Sequence, residues 1–241
     1  MKLKRLGALL LSASLMLAAL TACGSQTADD KAEDTKGADT AAAEQADDEE
    51  NYETGDASLD NPLNQDEIGE NELLVVSFGT SYNDSRRETI GAIETAMQTA
   101  FPDYSVRRGF TSQIIIDHVN KRDGEKIDNV TEALDRAVAN GVKNLVVQPT
   151  HLMNGLEYTD LKNELAGYSD SFEKIALGEP LLTSDDDFQK VMNAIVDATK
   201  EYDDGETAIC FMGHGTEADS NSVYTKTVSY THLTLPTICS V

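Results

Sequence analysis

The sequence predicts an α/β fold built on parallel strands. Short apolar runs typical of buried strands occur at residues 73–78, 104–110, 144–151, 174–177 and 207–212. Between these runs, apolar residues recur three and four positions apart, which is the spacing of an amphipathic helix. Strands that alternate with helices of this length indicate a parallel sheet with helices on both faces.

The helices follow from the same periodicity and from their capping residues. Apolar stripes predict helices at residues 90–101, 112–121, 130–138, 156–165 and 188–196, and the start of another at 218–226. The sequence from Ser85 to Glu88 has the capping-box pattern and is expected to begin the first helix. Ser184 is expected to cap the helix that contains Phe188.

The N-terminus has the features of an export signal. A basic start is followed by an apolar stretch over residues 6–20, which is too short for an ordinary membrane-spanning helix. The following residues, Leu20 to Gly24, resemble a lipobox with Cys23 as the lipidated position. We therefore expect residues 1–23 to be a signal segment and the protein to be an extracytoplasmic lipoprotein of the cell membrane, anchored through Cys23.

Residues 24–70 are expected to form an acidic disordered linker. They contain sixteen acidic residues and two lysines, so fourteen of the 24 net negative charges lie here. A segment with so few large apolar residues cannot bury enough surface to offset the entropy of ordering. The acidic balance also argues against nucleic acid as a partner, because binding phosphates requires clustered Lys and Arg.

Three predicted strands are followed by side chains that can bind a metal ion. His151, Glu179 and His214 each come directly after an apolar run, where ligands bind in open α/β folds. Two imidazoles and a carboxylate suit Co²⁺, Fe²⁺, Ni²⁺ or Zn²⁺, and three protein ligands would leave positions open for substrate. The alternative for each histidine is an ordinary structural role. His118, in a predicted helix, is expected on a solvated face.

Several motifs occur together in one register along the chain: LVVSFGTSY at residues 74–82, RRGFTSQIII at 107–116, VQPTH at 147–151, LGEPL at 177–181 and MGHGT at 212–216. Together they resemble one family, the anaerobic-type sirohydrochlorin cobaltochelatases of the class II chelatases. The resemblance implies two Rossmann-like lobes that face a tetrapyrrole cleft. It also implies metal binding and catalysis by His151, Glu179 and His214, with a tetrapyrrole and a divalent metal ion as substrates and no permanently bound cofactor.

The resemblance further implies which residues contact the macrocycle. They are Ser77, Phe78, Gly79, Thr80, Ser81, Arg107, Gly213 and Gly215. Because sirohydrochlorin carries several carboxylates, Arg86, Arg87, Arg107 and Arg108 are candidates for binding them. A surface ion pair is the alternative for each arginine.

The expected organisation is therefore modular. We expect a signal segment at residues 1–23, a linker at 24–70, a first lobe at 71–170, an incomplete second lobe at 171–228 and a non-native tail at 229–241. The leading functional hypothesis is a cobaltochelatase of cobalamin biosynthesis, with Co²⁺ as substrate metal and Fe²⁺ or Ni²⁺ as alternatives. The competing hypothesis is an exported protein that binds haem, another tetrapyrrole or a metal ion for uptake. Association into a homo-oligomer is compatible with both.

Overall fold

The computed structural model describes residues 53–204, 206, 207, 209 and 213–230. The predicted signal segment, the linker up to residue 52 and most of the predicted tail lie outside these residues. Most of the predicted strand at 207–212 lies outside them as well. Within the described part of the chain, no helix is long and apolar enough to cross a membrane.

In the described part of the chain, four parallel strands form one sheet, which confirms the predicted α/β class. They are β1 (Asn71–Ser77), β2 (Ser105–Phe110), β3 (Asn144–Pro149) and β4 (Lys174–Leu177), in the order β2-β1-β3-β4. Strand β1 is central, with Leu74 paired to Arg107 of β2 and to Val147 of β3. Its residues from Glu72 to Ser77 are all buried, because helices cover both faces of a parallel sheet.

The helices lie close to where their apolar stripes predict them. They are α1 (Asn83–Ser85), continued by a π-helical turn (Arg86–Ile90) into α2 (Gly91–Ala100), then α3 (Gln113–Asp123), α4 (Val130–Ala139), α5 (Leu156–Ala166), α6 (Asp185–Thr199) and α7 (Ser222–Tyr230). Short 3₁₀ turns occupy Ala57–Leu59, Lys200–Tyr202 and Asp219–Asn221. Ser184 caps α6 as predicted, since its hydroxyl accepts the Asp187 N–H and the Asp187 carboxylate accepts the Ser184 N–H.

The predicted cap at Ser85 is wrong. Ser85 lies inside the helix with αR geometry and makes no capping hydrogen bond, and the helix begins two residues earlier at Asn83. The cause is a tertiary contact, because the carbonyl of Thr54 accepts the Asp84 N–H at 2.9 Å. A first-turn donor thus finds its acceptor in a distant segment, and no local side chain is needed.

The core lies on both faces of the sheet. On one face, Leu74 packs in a buried cluster with Leu134 of α4 and Leu161 of α5. On the other face, Val75 packs in a cluster that includes Met97 of α2. Neighbouring residues of β1 therefore point to opposite sides, as the period of a strand requires.

Strand β4 lies beyond residue 170, where the sequence predicts a boundary between two lobes. It pairs in parallel with β3, from Asn144 opposite Lys174 to Val147 opposite Leu177, and so belongs to the same sheet as the first three strands. Beyond it, α6 and α7 contact each other through Lys226, whose ammonium lies 2.6 Å from Asp185 and 4.5 Å from the centre of the Phe188 ring.

The linker prediction is wrong for residues 53–70, which pack against the domain. The carbonyl of Leu63 accepts the backbone N–H of Arg108 at 3.1 Å and so covers part of the open edge of β2. Ile68 is 8% exposed and joins the core. The Asp60 side chain is only 4% exposed and is ion-paired to Arg86 and Arg108. Acidic composition alone predicted disorder, but here buried arginines hold the acidic side chains.

Candidate functional site

The carboxyl ends of the strands meet at one edge of the sheet, as predicted. The Thr150 hydroxyl donates to the Ser77 hydroxyl at 2.9 Å, and the Thr150 N–H donates to the Val76 carbonyl at 2.8 Å. On the other side, the Thr111 N–H donates to the Ser77 carbonyl at 2.9 Å. These bonds fix the segments that leave β1, β2 and β3 next to one another.

The loop after β1 reaches this edge and requires a glycine. Gly79 has φ of +102°, and a Cβ at this position would lie 2.6 Å from the Phe110 ring. Phe78 is 49% exposed, whereas Ser77 and Ser81 are buried. The carbonyl of Thr80 accepts a hydrogen bond from the guanidinium of Arg86. Of the five residues predicted to contact a macrocycle in this loop, Phe78 offers the most exposed apolar surface.

A cavity of about 310 Å³ opens beside this loop. It is lined by Phe78, Phe110, Thr111, Gln113, Asn129, Val130, Thr131, Glu157, Asp160, Leu161 and Glu164. Its floor comes from the ends of β1 and β2, and its acidic wall comes from α5. The volume lies at the lower end of the range for small-molecule sites.

His151 follows β3 and is enclosed by the protein. Its side chain is 8% exposed, and neither ring nitrogen has a hydrogen-bond partner among the described residues. The nearest charged group is the carboxylate of Glu157 in the first turn of α5, which lies 3.4 Å from Nε2 and is about half exposed. A buried imidazole without hydrogen bonds is costly to maintain, so an unpaired lone pair here points to a ligand.

Glu179 lies on the loop next to His151. The Leu181 N–H donates to the His151 carbonyl at 3.0 Å, and the Gln148 amide donates to the Glu179 carbonyl at 3.2 Å. The Glu179 side chain is exposed. Burial, together with the negative charge of Glu179, raises the pKa of the Tyr158 phenol, which donates to the Gly178 carbonyl.

His214 is exposed, and among the described residues its ring forms a hydrogen bond only with the next residue in the chain. Its Nδ1 lies 3.0 Å from the carbonyl of Gly215. Gly213 is packed against Tyr224 of α7, where a Cβ would lie 2.6 Å from the ring. The backbone of this segment therefore approaches α7 more closely than any other residue type would allow.

The structure brings two of the three predicted metal ligands onto adjacent loops but does not assemble all three side chains. Among the described residues, no group of three or more His, Cys, Asp or Glu side chains could hold a metal ion. A site shared by His151, Glu179 and His214 stays a prediction. The residue that His151 does face is Glu157, which the sequence reasoning missed. Its signal was an acidic residue in the first turn of the helix that follows a strand-end histidine.

The arginines predicted to bind substrate carboxylates are mostly inaccessible. Arg86 and Arg107 are 0% exposed and Arg108 is 1% exposed. Arg108 donates to both oxygens of Glu94 at 2.7 Å. Arg87 is the exception, being one-third exposed beside Asp84 and Glu88. The substrate role predicted for Arg107 is therefore wrong. All four arginines are ion-paired, but only Arg87 forms the surface pair that the alternative describes.

Two buried ionic clusters hold the other three arginines. In the first, burial opposes ionisation of Asp60, but hydrogen bonds from Arg108 and Arg86 prevail and lower its pKa. In the second, Arg107 contacts Asp128 at 3.2 Å and lies 3.9 Å from Glu72. Burial raises the pKa of Glu72 to about 7. His118, expected on a solvated face, is also buried at 9% exposure.

Comparison with known proteins identifies similar proteins over most of the described domain. The profile of the cobalt chelatase (CbiK) family matches residues 71–233, from the start of β1 onward. Sirohydrochlorin cobaltochelatase of Salmonella typhimurium (strain LT2) is 36% identical over 152 residues, which cover 63% of this chain and 57% of that protein. Sirohydrochlorin cobaltochelatase CbiKC of Nitratidesulfovibrio vulgaris (strain Hildenborough) is 28% identical over 154 residues, which cover 63% of this chain and 54% of that protein. The matched part thus spans just over half the length of these relatives. This chain belongs to the cobalt chelatase (CbiK) family.

Proposed function

We propose that this protein inserts Co²⁺ into sirohydrochlorin, a step of cobalamin biosynthesis. The observation that carries the proposal is His151 at the carboxyl edge of the sheet, whose buried ring nitrogens find no hydrogen-bond partner in the part of the chain that the structure describes. This histidine lies inside the segment that matches the family. Both relatives are named for this activity.

The chemistry of insertion fits the residues at this edge. A hydrated Co²⁺ ion must lose water, and the free-base macrocycle must release two pyrrole protons as its four nitrogens take the metal. A neutral imidazole can bind the ion or accept a proton near pH 7. We assign His151 to one of these roles, and Glu179 and His214 to the remaining metal-binding and proton-relay positions.

The macrocycle would lie across the exposed apolar side chains at the same edge. Phe78 is 49% exposed, Leu152 is 40% exposed and Leu181 is 52% exposed. These residues come from the loops after β1, β3 and β4. A flat ring that covered them would remove apolar surface from water at about 25 cal/mol per Å². Gly213 and Gly215 beside His214 would allow the backbone to approach the ring from the other side.

Metallation of sirohydrochlorin by the full-length chain tests the proposal. The protein would be mixed with sirohydrochlorin and CoCl₂, and cobalt insertion followed by absorbance. His151→Ala and His214→Ala are each expected to lower the catalysed rate by about a hundredfold or more, the scale of a lost acid–base or metal-binding group. His118→Gln, which changes a histidine of α3 to which no role in the site is assigned, is the matched control. Metallation by the wild type at the spontaneous rate would contradict the proposal.

A second function is favoured by the N-terminal sequence. The lipobox-like stretch from Leu20 to Gly24 suggests an exported lipoprotein, whereas tetrapyrrole synthesis draws on cytoplasmic intermediates. In that case the same edge would bind haem, another tetrapyrrole or a metal ion for uptake. Tight haem binding without metallation would select this function. Loss of membrane attachment and of lipid labelling in Cys23→Ala would establish the anchor.

The same assay also identifies the metal ion that the protein prefers as substrate. Parallel assays with Fe²⁺ and Ni²⁺ would show whether the site prefers Co²⁺, since an imidazole and carboxylate set accepts all three ions.

A further inference from the structure

We propose that residues 53–60 form a strap that positions the macrocycle loop, which is the loop after β1 at residues 78–82. The strap acts through Asn83 and Arg86, which are positioning residues and do not need to touch the substrate. It precedes the residues that match the family. Its packing against the domain stands on geometry alone. Its effect on the macrocycle rests on the proposed function, because that function places the tetrapyrrole on this loop.

Asn83 joins the strap to two arginines beside the loop. Its amide nitrogen donates to the Gly55 carbonyl at 3.1 Å, so this end of the side chain faces the strap. Its amide oxygen accepts from the guanidinium groups of Arg86 at 2.8 Å and Arg122 at 3.0 Å. Asn83 is 2% exposed, and a buried amide that bonds at both ends has a single orientation. The strap therefore orients the amide, and the amide in turn orients both guanidinium groups.

The two arginines hold the backbone of the macrocycle loop. Arg86 donates to the Thr80 carbonyl at 3.2 Å, and Arg122 donates to the Ser81 carbonyl at 2.7 Å. Asp60 of the strap accepts from Arg86 Nε and so fixes that guanidinium from another side. Hydrogen bonds from charged donors are stronger than those between neutral groups. Two consecutive carbonyls of the loop are thus held by charged donors whose direction depends on the strap.

A further contact joins the strap to the start of α1, directly after the loop. The Thr54 carbonyl accepts the Asp84 N–H at 2.9 Å. Gly55 has φ of +91°, and a Cβ at this position would overlap the Asp84 carboxylate. Glycine therefore allows the strap to lie this close to α1.

The conformation of the loop matters because the macrocycle would lie across it. Phe78, at the start of the loop, is 49% exposed. A loop that samples several conformations binds its ligand only in the fraction of molecules with the binding conformation, so the apparent Kd rises as this fraction falls. The strap increases this fraction without touching the ligand. Displacing the strap should therefore weaken macrocycle binding and spare the predicted metal ligands, which follow other strands.

Macrocycle binding by the full-length chain tests the strap. Sirohydrochlorin would be titrated without metal and followed by absorbance. Gly55→Ala, which pushes the strap away from α1, is expected to raise the Kd by about fivefold or more. Gly69→Ala is the matched control, because Gly69 has φ of +73°, precedes β1 at the amino edge of the sheet, and would place a Cβ where no atom lies within 4 Å. A change in Kd below about twofold is expected for this control.

Asn83→Asp tests the same link from the domain side. An ionised aspartate still accepts hydrogen bonds from both arginines but cannot donate to the Gly55 carbonyl. It is expected to raise the Kd in the same direction as Gly55→Ala, and urea unfolding of each variant shows that the chain is folded. An unchanged Kd in both strap variants, or an equal rise in Gly69→Ala, would overturn the strap.

Metallation assays separate the strap from the proposed function. In Gly55→Ala the KM for sirohydrochlorin is expected to rise with the Kd, while kcat and the KM for Co²⁺ stay close to those of the wild type. Metallation with wild-type KM values by both strap variants would overturn the strap and leave the function standing. If the wild type binds sirohydrochlorin without metallating it and Gly55→Ala still weakens binding, the proposed function fails and the strap stands.

Discussion

Replacing Glu72 by glutamine should change how the stability of the protein depends on pH. Glu72 is 0% exposed on the central strand, and neither carboxylate oxygen has a hydrogen-bond partner among the described residues. The guanidinium of Arg107, 3.9 Å away, offsets only part of the cost of burying the charge, and the nearby Asp128 adds to that cost. Burial consequently raises the pKa of Glu72 from 4.5 to about 7.

The size of this pH effect follows from the difference in the pKa of Glu72 between the folded and unfolded states. A carboxyl group whose pKa is raised in the folded protein favours folding most below its unfolded pKa, and this contribution is lost as the pH rises through its folded pKa. At about 1.4 kcal/mol per unit, the step from 4.5 to about 7 corresponds to roughly 3 kcal/mol. Most of this loss falls between about pH 5 and pH 8. Glu72→Gln removes the titrating group and with it this loss.

Urea unfolding followed by circular dichroism at several pH values measures the effect. The difference in free energy of unfolding between Glu72→Gln and the wild type should grow in favour of the variant by about 2–3 kcal/mol from about pH 5 to pH 8.5. Glu201→Gln, at an exposed position, is the control for loss of one surface carboxylate. A constant difference across this pH range would refute the reasoning.

Other substitutions test the packing around the site. Asp60→Asn removes the negative charge that pairs with two buried guanidinium groups and should lower the free energy of unfolding by about 3–5 kcal/mol. Asp66→Asn, in an exposed pair, should lower it by less than about 1 kcal/mol. Similar losses for both variants in urea unfolding would contradict the buried network. Gly79→Ala, at φ +102° and against Phe110, should lower the free energy of unfolding by more than about 1 kcal/mol. Gly91→Ala should not, because Gly91 lies in a helix where a Cβ makes only an ordinary van der Waals contact. Thermal melts of both variants measure the difference. Ser184→Ala should cost about 1 kcal/mol by loss of the cap of α6, and an unchanged Tm would argue against that cap.

Local patterns were enough wherever local forces decide the structure. The apolar run at residues 73–78 predicted β1 because a strand buried on both faces needs consecutive apolar side chains. Ser184 predicted the start of α6 because its capping partner Asp187 is three residues away. The position of His151 at the carboxyl edge was also predicted, because this residue follows the apolar run that forms β3.

Local patterns failed where the deciding partner was distant. Ser85 looked like a cap, but Thr54 supplies the acceptor from 30 residues earlier in the chain. Arg107 looked available to substrate, but Asp128 and Glu72 enclose it in the interior. Charged residues are common on surfaces, so a sequence cannot reveal that several carboxylates converge on a buried guanidinium.

The sequence by itself determined the parallel α/β architecture, the family resemblance and the histidine at the end of β3. Each of these depends on the order and spacing of nearby residues. The tertiary structure alone decided which carboxylate faces His151. Glu179 is placed by a strand pairing that leaves its side chain exposed, whereas Glu157 is placed by the first turn of α5 against the imidazole. Side-chain orientation at a site follows from how helices pack on the sheet, and that packing sums many distant contacts.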